Sequence, residues 1–219
     1  MDALRSALQQ GLVALGLAAT PAQQQQLLDY LGLLQKWGRV YNLTAVRDPQ
    51  QMLTHHLFDS LAIIAPLQRH LARTGKPAGA RLLDVGSGAG LPGAVIAVCC
   101  PGIDVSCVDT VAKKVAFIQQ AAAGLRLPNL RGIHARVESL TGKYDVVVSR
   151  AFASLADFTR WSGGALDAGG VWLAMKGKRP QDELAALPQE VQVFHVEPIT
   201  VPGLEAQRCL VWMARRPAV

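Results

Sequence analysis

Residues 81–93 read RLLDVGSGAGLPG, and the fold follows from this stretch. Leu82-Leu83 and Asp84-Val85 make a short, largely apolar run suited to a buried strand. Gly86, Gly88 and Gly90 follow at alternate positions. Pro92 stands where the first turn of a helix would open, and proline is tolerated there because that N–H has no intrahelical partner. A strand, a glycine-rich turn and a helix N-terminus in this order cradle a nucleotide-like ligand. The glycines allow close approach of backbone and ligand, and the helix end offers free N–H groups and partial positive charge.

Two kinds of ligand compete for such a cradle. Gly88, Gly90 and Gly93 satisfy the G-x-G-x-x-G pattern of dinucleotide-binding folds. That match starts two residues too late, because the strand already ends near Val85. Counted from the strand end, the pattern is Asp84-x-Gly86-x-Gly88-x-Gly90. A carboxylate two residues before the first glycine suits a cationic ligand end and sits poorly beside a pyrophosphate. S-adenosylmethionine, with its ammonium and sulfonium, is such a ligand. Asp109 closes a second predicted strand, 103–108, and lies 23 residues beyond Gly86, about where the ribose-binding acid of these folds falls. It points to an adenosine ligand and does not choose between the two.

At 219 residues and 50% hydrophobic, the chain can bury a sizeable core. One main domain with an appendage is expected. Cys99, Cys100, Cys107 and Cys209 fall in predicted helix or strand without zinc spacing and read as reduced packing residues. No signal peptide and no apolar run of membrane-spanning length is visible, so a soluble cytoplasmic protein is expected. A formal charge of +6 and a pI near 9.4 favour a polyanionic partner.

Residues 1–72 carry helical spacing and no strand pattern, and read as an N-terminal helical appendage. Leu4, Leu8, Leu12 and Leu15 mark a first helix. Thr20-Pro21 starts a second that runs to about Trp37, and the glutamines at 23–26 receive no function. Asp48-Pro49 starts a third, through His55, His56 and Asp59 to about Ile64, with Pro66 ending it. The His-His-Asp group suggests a metal, but no third and fourth ligand lie nearby, so packing or hydrogen bonding is the stronger reading and no metal is expected. RTGKPAG, 73–79, is the expected linker.

From residue 80 to 216 strand and helix alternate. Strands are predicted at 82–85, 103–108, 130–134, 144–149 and 170–175, with helices at 93–100, 111–125, 154–166 and 181–187. Such alternation predicts a parallel sheet covered on both faces. Residues 191–200 and 208–214 are instead two consecutive strands joined at Pro202-Gly203. An antiparallel hairpin closing an otherwise parallel sheet is expected of class I, Rossmann-like S-adenosylmethionine-dependent methyltransferases.

A closer resemblance lies in the order YNLTAV (41–46), HHLFDSL (55–61), LLDVGSGAGLPG (82–93), VDTVAKKVAF (108–117), ARVE (135–138) and VVSRAF (147–152). It resembles the bacterial 16S, small-subunit ribosomal RNA guanine-N7 methyltransferases, also called the glucose-inhibited division protein B family. The glycine motif is shared by methyltransferases at large, whereas HHLFDSL, LPG and SRAF in this order are far more specific. The resemblance implies S-adenosylmethionine touching Gly86 and Leu91, with Gly88 and Gly90 shaping the loop at its methionine end. It implies Asp109 on the ribose hydroxyls, Val137 and Glu138 beside the adenine, and Arg150 where cofactor meets substrate. It also implies the small ribosomal subunit or its precursor as partner, and we expect a monomer.

Guanine N7 carries an in-plane lone pair and can attack a sulfonium methyl without losing a proton, so no general base is expected. The chain accordingly lacks the D/N-P-P-Y/F turn used on exocyclic amines and a Pro-Cys on the fourth strand. Arg150 is expected to orient the guanine, whose N7 and O6 form an acceptor edge, or a neighbouring phosphate. Lys113, Lys114, Arg136, Lys176, Lys178 and Arg179 follow or flank strand ends and are candidate phosphate contacts. Trp161 and Trp172 read as core rather than as base-stacking rings. Two other functions remain open on the residues alone: a nicotinamide-dependent oxidoreductase and a non-catalytic RNA-binding assembly factor.

Overall fold

The computed structural model describes residues 2–41 and 43–217, so Asn42 of the YNLTAV motif lies outside the described residues. The chain opens with α1 (Asp2–Ala14) and α2 (Pro21–Tyr41). Thr20 caps α2 reciprocally with Gln23: each side-chain oxygen accepts the other residue's backbone N–H, at 3.2 and 2.9 Å. The glutamines have structural work after all. Gln23 donates to the Val98 carbonyl at 2.8 Å and Gln26 to the Leu125 carbonyl at 2.8 Å, so α2 supplies donors to helix-end carbonyls that lack intrahelical partners.

The third predicted helix is a composite of α3 (Pro49–Met52), a π-helical turn (Leu53–Phe58) and α4 (Asp59–Leu61). Asp48 caps it as expected, accepting Gln51 N–H at 2.9 Å. This helix ends at Leu61, close to the expected Ile64, but Pro66 is not what ends it. Pro66 sits in the first turn of a further helix, α5 (Ile64–Arg73), where a missing N–H costs no hydrogen bond.

Seven strands follow in one sheet: β1 (Arg81–Val85), β2 (Asp104–Asp109), β3 (Leu130–His134), β4 (Tyr144–Arg150), β5 (Leu166–Lys176), β6 (Val191–Ile199) and β7 (Arg208–Arg215). Interleaved with them are α6 (Gly93–Cys99), α7 (Ala112–Gly124), α8 (Leu155–Ser162) and α9 (Gln181–Ala185). The strand order is β3-β2-β1-β4-β5-β7-β6. β1 to β5 pair in parallel, and β7 runs antiparallel between β5 and β6. The predicted alternation and closing hairpin are both present. The hairpin's second strand enters the sheet and leaves its first at the rim.

Leu82 and Leu83 point to opposite faces and belong to two separate cores. The core on the Leu82 face is continuous with Leu8, Leu27, Leu34, Leu57 and Leu61 of the helical segment. Full burial of each such leucine contributes about 1.5–3 kcal/mol, so these helices are tied firmly to the sheet. Among the described residues no helix is long and apolar enough to cross a membrane. The four cysteines are free, three of them buried, as the packing reading predicts.

Candidate active site

The glycine loop is built by β1 and β2 together. Gly86 and Ser87 donate their N–H groups to the Val108 carbonyl at 2.9 and 3.2 Å, which turns the chain sharply after β1. Gly86 has φ +64°, and a Cβ there would stand 2.2 Å from the Phe152 ring, so only glycine fits. Gly88 has φ +59° and faces open space. Its N–H donates to Asp109 Oδ2 at 3.0 Å, while Asp109 Oδ1 accepts Val111 N–H at 2.9 Å. Asp109 thus braces the loop and the start of α7 at once.

Asp84 does not reach the ligand side. It is wholly buried beneath the loop, and its Oδ2 accepts Gly93 N–H at 2.8 Å. Burial pushes its carboxyl up to about 7, opposed by the Gly93 amide and by Arg150. The direct ligand contact expected of Asp84 is therefore corrected to a strut that fixes the N-terminus of α6. In a strand, alternate side chains face opposite ways, and this one faces inward.

Two cavities of about 500 and 510 Å³ meet at Gly86 and Ala151, which wall both. The first runs along Gly86, Ser87, Gly88 and Leu91 to Thr44, His55, His56, Asp59, Arg150 and Arg208. The second holds Asp109, Val137 and Glu138, with Lys114 and Arg136 in its wall. Both are of ligand-binding size. Phe152 and Trp161 also line the second cavity, their rings 5.8 Å apart and edge-on at 77°. Trp161 packs against the core as expected, half-buried, and also forms part of the cavity wall. Trp172 is core, its indole N–H bonded to Ser162 Oγ at 2.9 Å.

Arg150 ends β4 in the first cavity. Its Nη1 donates to the His55 carbonyl and to Asp59 Oδ2, both at 3.0 Å. Ala151, next along, has φ +53°, a strained backbone of the kind held at functional sites. His56 Nε2 lies 2.7 Å from Thr44 Oγ1. Burial, then the Arg150 guanidinium, pushes its imidazole down to about 4, so it is neutral at physiological pH. No sequence signal pointed to Arg208, which reaches the site through tertiary pairing; Phe152 stands in the VVSRAF motif, but the motif gave it no role.

Of the six basic residues proposed for phosphate contact, Lys176 must be withdrawn. Its Nζ donates to the Ala153 carbonyl at 2.9 Å and to both Glu183 oxygens at 2.8 and 3.1 Å, and its side chain is only 17% exposed. It fastens the segment after β4. Lys113, Lys178 and Arg179 are exposed. Arg136 lies 3.3 Å from Glu138 while 78% exposed, a pairing that costs little to break, whereas Lys114 lies 3.6 Å from the buried Asp109 carboxylate.

An open α/β sheet with this strand order, binding at strand C-termini through a glycine turn and a second-strand acid, defines a class I S-adenosylmethionine-dependent methyltransferase. Solved structures agree on the fold. TrmN from Thermus thermophilus superposes with TM-score 0.55 at 20% identity, over 71% of this chain and 48% of that one. A S-adenosylmethionine-dependent methyltransferase from Thiobacillus denitrificans in complex with S-adenosyl-L-homocysteine gives 0.52 at 15%, over 70% and 90%. The chain belongs to the rRNA small subunit methyltransferase G family, whose model matches residues 23–211. The ribosomal RNA small subunit methyltransferase G of Acidovorax ebreus is 68% identical over 214 residues, 96% of this chain and 95% of that protein. That of Albidiferax ferrireducens is 64% identical over the whole of both.

Proposed function

We propose that this protein transfers the methyl group of S-adenosylmethionine to N7 of a guanine in the ribosomal RNA of the small subunit. The observation that carries the reading is the junction at Gly86 and Ala151, across which a coenzyme with its adenosine in the second chamber would present its methionine end to a base in the first. Family membership supplies the substrate class.

The residues suit the coenzyme. Asp109 offers a carboxylate for ribose hydroxyls, and Val137, Phe152 and Trp161 make an apolar slot for adenine, bordered by Glu138. The loop Gly86–Leu91, through Gly88 and Gly90, would take the methionine end. The bound coenzyme supplies an electrophilic sulfonium methyl. The chain's own task is to aim the base. N7 needs no deprotonation, and the cavity fits that: His56 is a weak base held against Thr44. Positioning alone can supply on the order of 7–11 kcal/mol.

A guanidinium spanning N7 and O6 would occupy the lone pair that must attack. Arg150 is therefore better placed on O6 or on the phosphate beside the guanine than across that edge. Lys113, Lys114, Arg136, Lys178 and Arg179 would carry flanking RNA. In this reading residues 80–216 perform the transfer, residues 1–72 complete the substrate side, and the protein acts as a cytoplasmic monomer.

Mapping N7-methylguanine in small-subunit rRNA from cells with and without this protein tests the reading. A single guanine that loses its methyl group in the deletion is the expected result. An unchanged map, with purified protein unable to methylate that rRNA, rejects it.

A further inference from the structure

Asp59 is a buried carboxylate whose two oxygens are each taken by a different arginine. Oδ2 accepts Arg150 Nη1 at 3.0 Å and Oδ1 accepts Arg208 Nε at 2.8 Å. The three residues come from α4, the end of β4 and the start of β7, and all line the first cavity. Arg208 also donates Nη1 to the Gln207 carbonyl at 3.0 Å. Among the described residues, Nε and Nη2 of Arg150 and Nη2 of Arg208 have no hydrogen-bond partner. The arginine side chains are 20% and 25% exposed, against 7% for the carboxylate, so the two cations are more accessible than the carboxylate that joins them.

A fold staple explains this poorly. Buried ionic triads are on average no more stabilising than apolar side chains of similar volume. This one stands in a ligand-sized cavity and leaves one net positive charge there. Guanidinium forks with unused donors are the usual partners of phosphate oxygens. Two arginines brought together without a counter-charge would repel, and the intervening carboxylate removes that repulsion while fixing both planes.

We propose that Asp59 is a positioning residue for methyl transfer, holding the guanidinium groups of Arg150 and Arg208 on one carboxylate so that together they seat an RNA phosphodiester beside the reacting base. This rests on the methyltransferase reading above and adds to it how the substrate is registered. Asp59 touches neither coenzyme nor RNA; its effect passes through the two arginines. The π-helical turn just before it contributes by presenting the His55 carbonyl to the same Arg150 nitrogen.

The test is a double-mutant cycle of Asp59→Asn, Arg208→Gln and the two combined, assayed on small-subunit rRNA lacking the methyl group, with coenzyme affinity measured separately by calorimetry. Each single change is expected to lower kcat/KM for the RNA by about 100-fold, the usual scale of a small misplacement. Coenzyme affinity is expected to stay within about threefold. The double variant is expected to be no worse than the poorer single one, since residues acting as a unit are non-additive. Losses that multiply, an Asp59→Asn enzyme with native turnover, or coenzyme affinity falling in step with turnover would each overturn the proposal. If Asp59→Asn does not fold, Arg208→Lys decides. Lysine keeps the charge but cannot hold a carboxylate and a phosphate through one rigid fork, so native kcat/KM in that variant would overturn the proposal. A wild-type protein that fails to methylate the rRNA refutes the functional reading instead, which separates the two.

Discussion

Tyr30 donates its phenolic hydrogen to the Ala89 carbonyl at 2.7 Å, so a helix from the first part of the chain grips the glycine loop from outside. The ring is fully buried against Phe117, with centroids 6.0 Å apart. Tyr30→Phe keeps that packing and removes the bond. The expected loss is about 1 kcal/mol of stability in urea unfolding. Coenzyme affinity is expected to weaken a few fold as the loop loosens.

Trp161 walls the second cavity edge-on to Phe152. Stacking of a base on an aromatic ring is worth about 1–3 kcal/mol. Trp161→Ala is expected to weaken coenzyme binding by at least about fivefold and Trp161→Phe by less, read by calorimetry. Equal affinity in all three proteins would place the adenine elsewhere.

Arg150→Ala removes one arm of the Asp59 clamp and the cation at the junction of the chambers. Turnover on rRNA is expected to fall about 100-fold, with coenzyme affinity within severalfold. Native turnover in this variant would remove the role given to Arg150.

Asp84 and His56 give stability opposite pH dependences. Burial raises Asp84 from 3.8 to about 7, so the folded protein keeps a proton that the unfolded chain releases. Its contribution is full below about pH 3.8 and is lost as pH rises through about 7. Relative to Asp84→Asn, the wild type is expected to lose stability from pH 4 to 7, by up to about 1.4 kcal/mol per pH unit. His56 is lowered from 6.5 to about 4, so its contribution is present above pH 6.5 and lost as pH falls toward 4. His56→Gln is expected to flatten that acid limb. Urea unfolding across the pH range reads both.

The sheet was legible because its strands are continuous apolar runs punctuated by glycine and proline, and the Pro202-Gly203 turn marked the hairpin. Its insertion was not legible, since nothing local says that β7 rather than β6 neighbours β5. Pro66 misled because proline breaks a helix interior but is harmless in a first turn. The motif located Asp84 without revealing which face of β1 it occupies. Lys176 looked like any strand-end cation until Glu183 was seen to hold it. Asp59 stood out in sequence beside two histidines, yet its partners lie 91 and 149 residues further on, beyond any spacing rule.

The last of those partners sits at the head of the final strand, which lies inside the sheet and not along its rim. The coenzyme end and the substrate end of the site are therefore closed by distant parts of the chain. Cutting the chain before residue 208 would not trim an edge: it would take the strand that joins β6 to β5 out of the sheet, together with the arginine that shares Asp59.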